Sequence, residues 1–408
     1  MVLCVLNIQP GLLGMVSNKP LTLLSCLLAL YLLSSSRSKG NARVPLHVAI
    51  TLLLMIFLSL RVLLDDRAME TAHVGYMFIT FSLAAVGALA GEAVTHSGNQ
   101  RLALKVFVYF IAVLSISACV TALISTVFPL LKLQLATFTI VRPDNSVKTW
   151  LLYFPFTVTN AEVWFGNHLV PRLSGAYREP GIFQMYLLMA LVITQHTTIR
   201  YQRAVRVFVI IALLLTFSSI GYPLAVVTAA YALFSNKRRT LLTKTAVAAM
   251  AILALVAIWQ LGPLAYEKKV YDAQDTSESR VTAVANSISH LIENPLLGTG
   301  FFVDQPDDLG LEGVSVIASM HMFGLIGLVL YAGVIVAALR RNDHPSTATM
   351  LLPLLGTLVF SQPLHFDAIT FFMLGLNLRG VSKPLRSKAR TRARILGKKL
   401  LCEAPART

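Results

Sequence analysis

Two arginines and a glutamate stand close together where the chain re-enters an apolar phase: Arg172, Arg178 and Glu179, in the stretch RLSGAYREPGIFQ. Charge at such a boundary is costly unless it lines water or is paired. The arginine guanidinium is a planar fork that makes two parallel bonds to phosphate oxygens and does not deprotonate. Two of them around a Gly175 turn therefore suit a diphosphate. A carboxylate beside them is a candidate to take a proton from a hydroxyl. The same residues admit a plainer reading, in which the arginines snorkel to the interface and Glu179 pairs with one of them. The residues alone leave both open.

A second set lies further along. Arg280 opens a helix-like segment, Ser279 to Leu291, which carries His290 and ends at Glu293-Asn294-Pro295. Gly298 and Gly300 follow at a spacing that permits a tight turn back toward the apolar phase. Asp304, Asp307, Asp308 and Glu312 come next, in a spacing that fits a solvated acidic rim better than any metal-binding loop. His321 lies in the apolar run SVIASMHMFGLIG, with no acidic or basic residue between it and Arg340. It is either an intrahelical hydrogen bonder or a group facing a polar cavity. His365 and Asp367 invite the same question. No glycine loop ending in Lys-Ser, nucleophile elbow or helical zinc motif occurs. The four cysteines lie in apolar runs or in the basic tail, outside both long polar loops, so no disulfide framework or metal-ligand spacing is offered.

These residues have to be positioned by a membrane. Of 408 residues, 56% are hydrophobic and 13% charged, and the mean hydropathy is +0.69. Soluble domains carry about a quarter charged residues. The apolar residues come in about twelve blocks, near 2–17, 20–36, 46–64, 72–94, 105–128, 181–195, 207–219, 221–235, 245–262, 314–339, 349–361 and 367–379. This is an all-α, polytopic pattern with about 10–12 transmembrane helices. No basic flank precedes the first apolar run, which argues against a cleaved signal peptide.

The formal charge of +16 would suggest nucleic acid in a soluble protein, but its distribution argues against that. Ten of the 35 Lys and Arg lie from Arg379 onward. Others mark alternate loops: Arg37, Lys39 and Arg43; Arg101 and Lys105; Arg200, Arg203 and Arg206; Lys237 to Arg239 with Lys244; Arg340 and Arg341. The loops between are acid-rich. That is the positive-inside bias, with basic loops and tail against anionic cytoplasmic lipid. Residues 1–380 then form one membrane domain, with long outer loops at about 129–179 and 263–313, followed by a basic tail, 381–408.

Two apolar runs break the alternation unless each crosses twice. Residues 207–234 would do so as two short helices turning at Ser218 to Pro223, which puts Tyr222 at the turn. Residues 349–379 would turn at Ser361 to Asp367. Backbone broken at membrane depth survives only inside protein or along a watery cavity; an ordinary pair of short spans with a surface turn is the alternative. In the first long loop, Trp150, Tyr153, Phe154, Phe156, Trp164 and Phe165 read as amphipathic pieces at the bilayer interface.

RLSGAYREPGIFQMYLL (172–188), LLLTFSSIGYPLAVV (213–227), ENPLLGTGFF (293–302) and FGLIGLVLY (323–331) occur in an order that resembles the O-antigen ligase and polysaccharide polymerase superfamily. The Arg-Glu-Pro-Gly wording looks more like the polymerases than the ligases. Where the ligases tend to carry a His-Asn pair ahead of Gly-Leu-Ile-Gly, this chain has Glu312-Gly313-Val314. The resemblance implies a GT-C-like, metal- and cofactor-independent glycosyltransferase. It would join polyprenyl-diphosphate-linked repeat units, donor and acceptor, at the periplasmic face of the bacterial inner membrane, with the C-terminus cytoplasmic. A flippase and a chain-length regulator are the implied partners, and nucleic acid is not one. Catalytic candidates are Arg178, Glu179 and His321; substrate-binding candidates are Arg172, Arg280, Gly175, Tyr222 and Asp304. A ligase, a lipid-linked glycan transporter and a non-catalytic scaffold are the alternatives.

Overall fold

The computed structural model describes residues 44–64, 71–141, 147–159, 162–165, 168–177, 179–218, 221–235, 240–260, 274–301, 316–317, 319–342, 345–360 and 367–378. The first two apolar runs, the tail, Arg178, Asp304, His365 and the turn at 361–366 lie outside these residues. The helices are α1 (Leu46–Leu63), α2 (Thr71–His96), α3 (Gln100–Ser125), α4 (Pro180–His196), α5 (Gln202–Leu215), α6 (Gly221–Phe234), α7 (Leu241–Gln260), α8 (Gln274–Glu293), α9 (Met320–Arg341), α10 (Pro345–Phe360) and α11 (Ala368–Gly375). Among the described residues, α1, most of α2, α3 and α9 are long and apolar enough to cross a membrane.

The helices are apolar on the outside as well as the inside. Leu53, Ile56, Leu60 and Leu63 form an exposed row on α1, and Leu102, Val106, Tyr109, Val113 and Ile116 form one on α3. Spacings of three and four residues make each row a single stripe, and a helix apolar all round belongs in lipid. By contrast α4 is buried along nearly its whole length, from Pro180 to Thr194, and is the central post of the bundle. It packs against α3, α5, α6 and α10. The end of the bundle with Arg101, Arg203, Arg206, Arg340 and Arg341 is here termed the basic end, and the opposite one the loop end.

The run 207–234 is indeed broken: α5 stops at Leu215 and α6 starts at Gly221, each 14 residues long. The first long loop departs from the expected amphipathic pieces. It is largely β-structure: β1 (Gln134–Val141), β2 (Val147–Tyr153) and β3 (Thr157–Thr159) form an antiparallel sheet, and β4 (Glu162–Phe165) pairs with β5 (His168–Pro171). The physical reason is side-chain period. Trp150, Leu152 and Val158 are buried on one face of the sheet with Ala136 against them, the two-residue alternation of a half-buried strand. The exposed aromatics, Phe154 and Phe156, stay near the loop end of α3, where Thr121 Oγ1 donates to Phe154 O at 2.8 Å.

At the basic end, α2 and α11 lie almost backbone to backbone. A Cβ on Gly87 would come within 2.1 Å of Ala368 O, and one on Gly91 within 2.4 Å of Phe372 O. This is the small-xxx-small pattern by which membrane helices approach closely. Gly91→Ala should therefore lower the melting temperature of the detergent-solubilised protein, by a destabilisation of about 1–3 kcal/mol. Gly75→Ala, in the same helix with nothing within 4 Å of the new methyl, should leave it unchanged or raise it, because alanine favours helix by about 1 kcal/mol. Equal effects at the two positions would contradict the close packing.

Beside this contact sits a buried ionic knot. The Arg341 guanidinium on α9 makes two bonds to Glu92 on α2, through Nη1 to Oε2 and through Nη2 to Oε1 at 3.1 Å. His96 Nε2 lies 2.9 Å from Glu92 Oε1, and His47 Nε2 on α1 lies 3.0 Å from Arg341 Nη1. Next to Arg341, Asn342 donates to Leu376 O and accepts from the Leu378 amide. Four segments distant in sequence are thus fastened at one point.

Candidate functional site

The stretch that opens the sequence reading is held from two sides. Leu173 N–H donates to Leu215 O at 3.3 Å, filling one of the carbonyls left free at the end of α5. On the other side β3 brackets the turn: Val158 N–H donates to Gly175 O and Ser174 N–H to Val158 O. The sheet itself is tied to α3, where Ser117 Oγ and Thr157 Oγ1 are 3.1 Å apart. The β-structure of the first long loop thereby serves as the brace for residues 173–175.

Gly175 takes φ +58, and a Cβ there would meet the Phe183 ring at 2.9 Å, so both conformation and space require glycine. The chain then turns through Tyr177 into α4. Glu179 occupies the N-cap in extended conformation, but its side chain makes no capping bond, and Pro180 starts the helix. Its carboxylate is therefore not committed to closing the helix end.

Arg172 projects where α5 and α6 part. Its Nε is buried, and its charge acts on the phenol of Tyr222 in the first turn of α6. Tyr222 in turn donates to Leu214 O on α5. Gly221 lies against the amide of the buried Gln184, on α4, so closely that a Cβ would come 1.3 Å from it. Arg172, Gly175 and Tyr222 are thus gathered at the broken helix pair at the loop end, with Glu179 at the start of α4.

His321 belongs to a second group. It is not inside a continuous helix as its sequence context implies. Gly324, with φ 60 and ψ −178, separates a single turn carrying His321 from the rest of α9. The turn 294–298 fills the break. Leu325 N–H donates to Pro295 O at 2.8 Å and Ile326 N–H to Leu296 O at 3.2 Å, so loop carbonyls take the first free donors of the main helix. Gly298 and Gly324 face one another: a Cβ on Gly298 would lie 2.6 Å from Gly324 N. Thr299 N–H donates to His321 O. Arg61, from α1, fixes the same turn by donating to Leu297 O and Gly298 O.

Within this group His321 and Ser287 are fully buried, and Nδ1 of the histidine lies 2.9 Å from Oγ of the serine on α8. The His290 ring centroid is 6.2 Å away, and His290 Nδ1 is 3.2 Å from Glu293 Oε2. Arg280 lies in α8, ahead of Ser287. The two groups are joined through α10, which packs on α4 and α6 and accepts the Val316 amide at Leu358 O.

The structure therefore joins the four motifs in pairs, 172–188 with 213–227 and 293–302 with 323–331. Sequence reading missed Arg61 and Ser287. Arg61 had one usable signal, a lone cation in the last turn of an apolar helix; Ser287 had none.

The O-antigen ligase family model matches residues 204–322, from the first turn of α5 to Met322. This match supports the O-antigen ligase and polysaccharide polymerase superfamily, and the apolar helical bundle is that of an all-α, multi-pass membrane protein. The matched segment contains Tyr222, Arg280 and His321, whereas Arg172, Arg178 and Glu179 precede it. No curated protein sequence matches the chain.

Proposed function

We propose that the protein is a polysaccharide polymerase, joining polyprenyl-diphosphate-linked repeat units at the periplasmic face of a bacterial inner membrane. The observation that carries the reading is the placement of Arg172 and the Gly175 turn against the break between α5 and α6. There a guanidinium, whose planar fork suits phosphate oxygens, meets the ends of two short helices. Arg172, Arg178 and Arg280 neutralise the diphosphate as the glycosyl bond breaks, and the acceptor hydroxyl gives its proton to Glu179 or His321. The diphosphate linkage is already activated, so no nucleotide or metal is invoked.

A ligase that moves finished glycan to a lipid or protein acceptor is the second reading, favoured by the family description itself. Deletion followed by gel analysis of surface glycan separates the two. A single repeat unit on its acceptor supports polymerisation. Polymer held on its lipid carrier and missing from the acceptor supports ligation. Unchanged surface glycan contradicts both.

A further inference from the structure

Most buried polar side chains in folded proteins are hydrogen-bonded, because an unpaired one gives up water and receives nothing in return. Gln184 departs from this. It is buried on α4, and among the described residues neither its Nε2 nor its Oε1 has a hydrogen-bond partner. A carboxamide has two donor hydrogens and two acceptor lone pairs to place. Here its end abuts Gly221, the first residue of α6, and fills the volume a Cβ there would take, 1.3 Å from its carbon, nitrogen and oxygen alike. Two other side chains of the same motif, Ser174 through Oγ and Tyr177 through its hydroxyl, are also buried without a partner among the described residues. Tyr177 is boxed by the rings of Phe183 and Tyr186, and Ser174 is bracketed by β3. Gln184 differs from both in its place. It lies at the parting of α5 and α6, one residue from Tyr222, on which the charge of Arg172 acts.

We propose that the Gln184 carboxamide is a substrate-binding group that recognises the sugar joined to the diphosphate of the lipid-linked glycan. This rests on the glycosyl-transfer reading above. The chemistry of the two neighbours divides the ligand between them. A guanidinium is charged and only donates, which suits phosphate oxygens. A carboxamide is neutral and offers a donor and an acceptor side by side. It matches a group that does both, such as adjacent ring hydroxyls or an acetamido substituent. The first sugar is bonded directly to the diphosphate, so a diphosphate held at Arg172 brings that sugar to the neighbouring amide. Reaching it asks little of the protein. The side chain has three rotatable bonds, and what it leaves on Gly221 is dispersion contact, weak for each atom pair. An amide bonded within the protein would first have to break those bonds. The unpaired amide thus destabilises the ligand-free protein and finds its partners in the sugar.

Gln184→Met keeps the length of the side chain and removes its hydrogen bonding, and two measurements on protein in lipid nanodiscs use it. In the first, with no glycan added, the variant should melt about 2–4 °C above the parent, because a buried amide without partners has become an apolar chain of similar volume. In the second, native mass spectrometry follows the binding of two probes: lipid-linked glycan extracted from a strain lacking the protein, and polyprenyl diphosphate bearing no sugar. Gln184→Met should weaken the glycan about 10-fold, the loss of two hydrogen bonds, and leave the bare diphosphate unchanged. Arg172→Ala should weaken both. An unchanged or lowered melting temperature, or a variant that fails to accumulate, overturns the proposal, because the amide is then bonded within the fold through trapped water. An equal loss for both probes overturns it as well, since that puts the amide on the diphosphate. A parent that binds the glycan and a variant that binds it equally well remove Gln184 alone. A parent that binds neither probe removes the glycosyl-transfer reading and the sugar assignment with it.

Discussion

Arg172→Ala and Arg178→Ala proteins should each reach the membrane at normal levels and leave the lipid-linked repeat unit unextended, with transfer slowed on the order of 100- to 1000-fold. The loss is that large because arginine at this place has no substitute. Water cannot supply a fixed positive charge at a helix break, and the neighbouring Tyr222 hydroxyl is committed to Leu214 O. Arg172→Lys should fall in between, since it keeps the charge and loses the two-pronged geometry. The surface-glycan ladder reads out all three, with membrane content measured by immunoblot. Full-length polymer in either alanine variant would remove the arginines from the reaction.

The second large effect concerns stability. Arg341→Met should destabilise the solubilised protein by about 3–5 kcal/mol, seen as a lowered midpoint of unfolding, because it strands the Glu92 carboxylate in the interior. Glu92 is 5% exposed, and its remaining partners are two histidines. Replacing both members, Glu92→Leu with Arg341→Met, should cost much less than the sum of the single changes, since no unpaired charge remains. Additive losses would show that the pair is not coupled. Activity of the double variant at low temperature should persist, because the knot lies at the basic end, away from Arg172 and His321.

What could be read in the sequence follows from the range of each interaction. The division of 207–234 was legible because Gly221 and Pro223 fall in one apolar run and Lys237 to Arg239 demand a second crossing. The Gly298 turn was legible from local spacing, and its φ of +72 agrees. Pairings across long separations were not. Arg341 and Glu92 are 249 positions apart, Ser287 and His321 are 34 apart, and neither partner carries a mark of the other. The β-sheet was missed for a different reason. Its alternation in Gln134–Val141 and Val147–Tyr153 is short, and aromatic residues suit strands and bilayer interfaces alike. His321 was placed in a continuous helix because Gly324 shows its break only when the 294–298 turn is seen filling it.

The shortness of α5 and α6 carries a further consequence, for the bilayer. Fourteen residues at 1.5 Å each give about 21 Å, whereas the hydrocarbon layer is about 30 Å thick. With Arg203 and Arg206 at the head of α5 level with one set of headgroups, helices of this length stop about 9 Å short of the other. Lipid beside them must thin or tilt to meet them, at fractions of a kcal/mol per ångström. On the proposed function, a long-chain prenyl carrier arriving at that dimple would lower its phosphates to the arginines without dragging them through hydrocarbon. Hydrophobic mismatch, usually a penalty, would here act as the entry ramp.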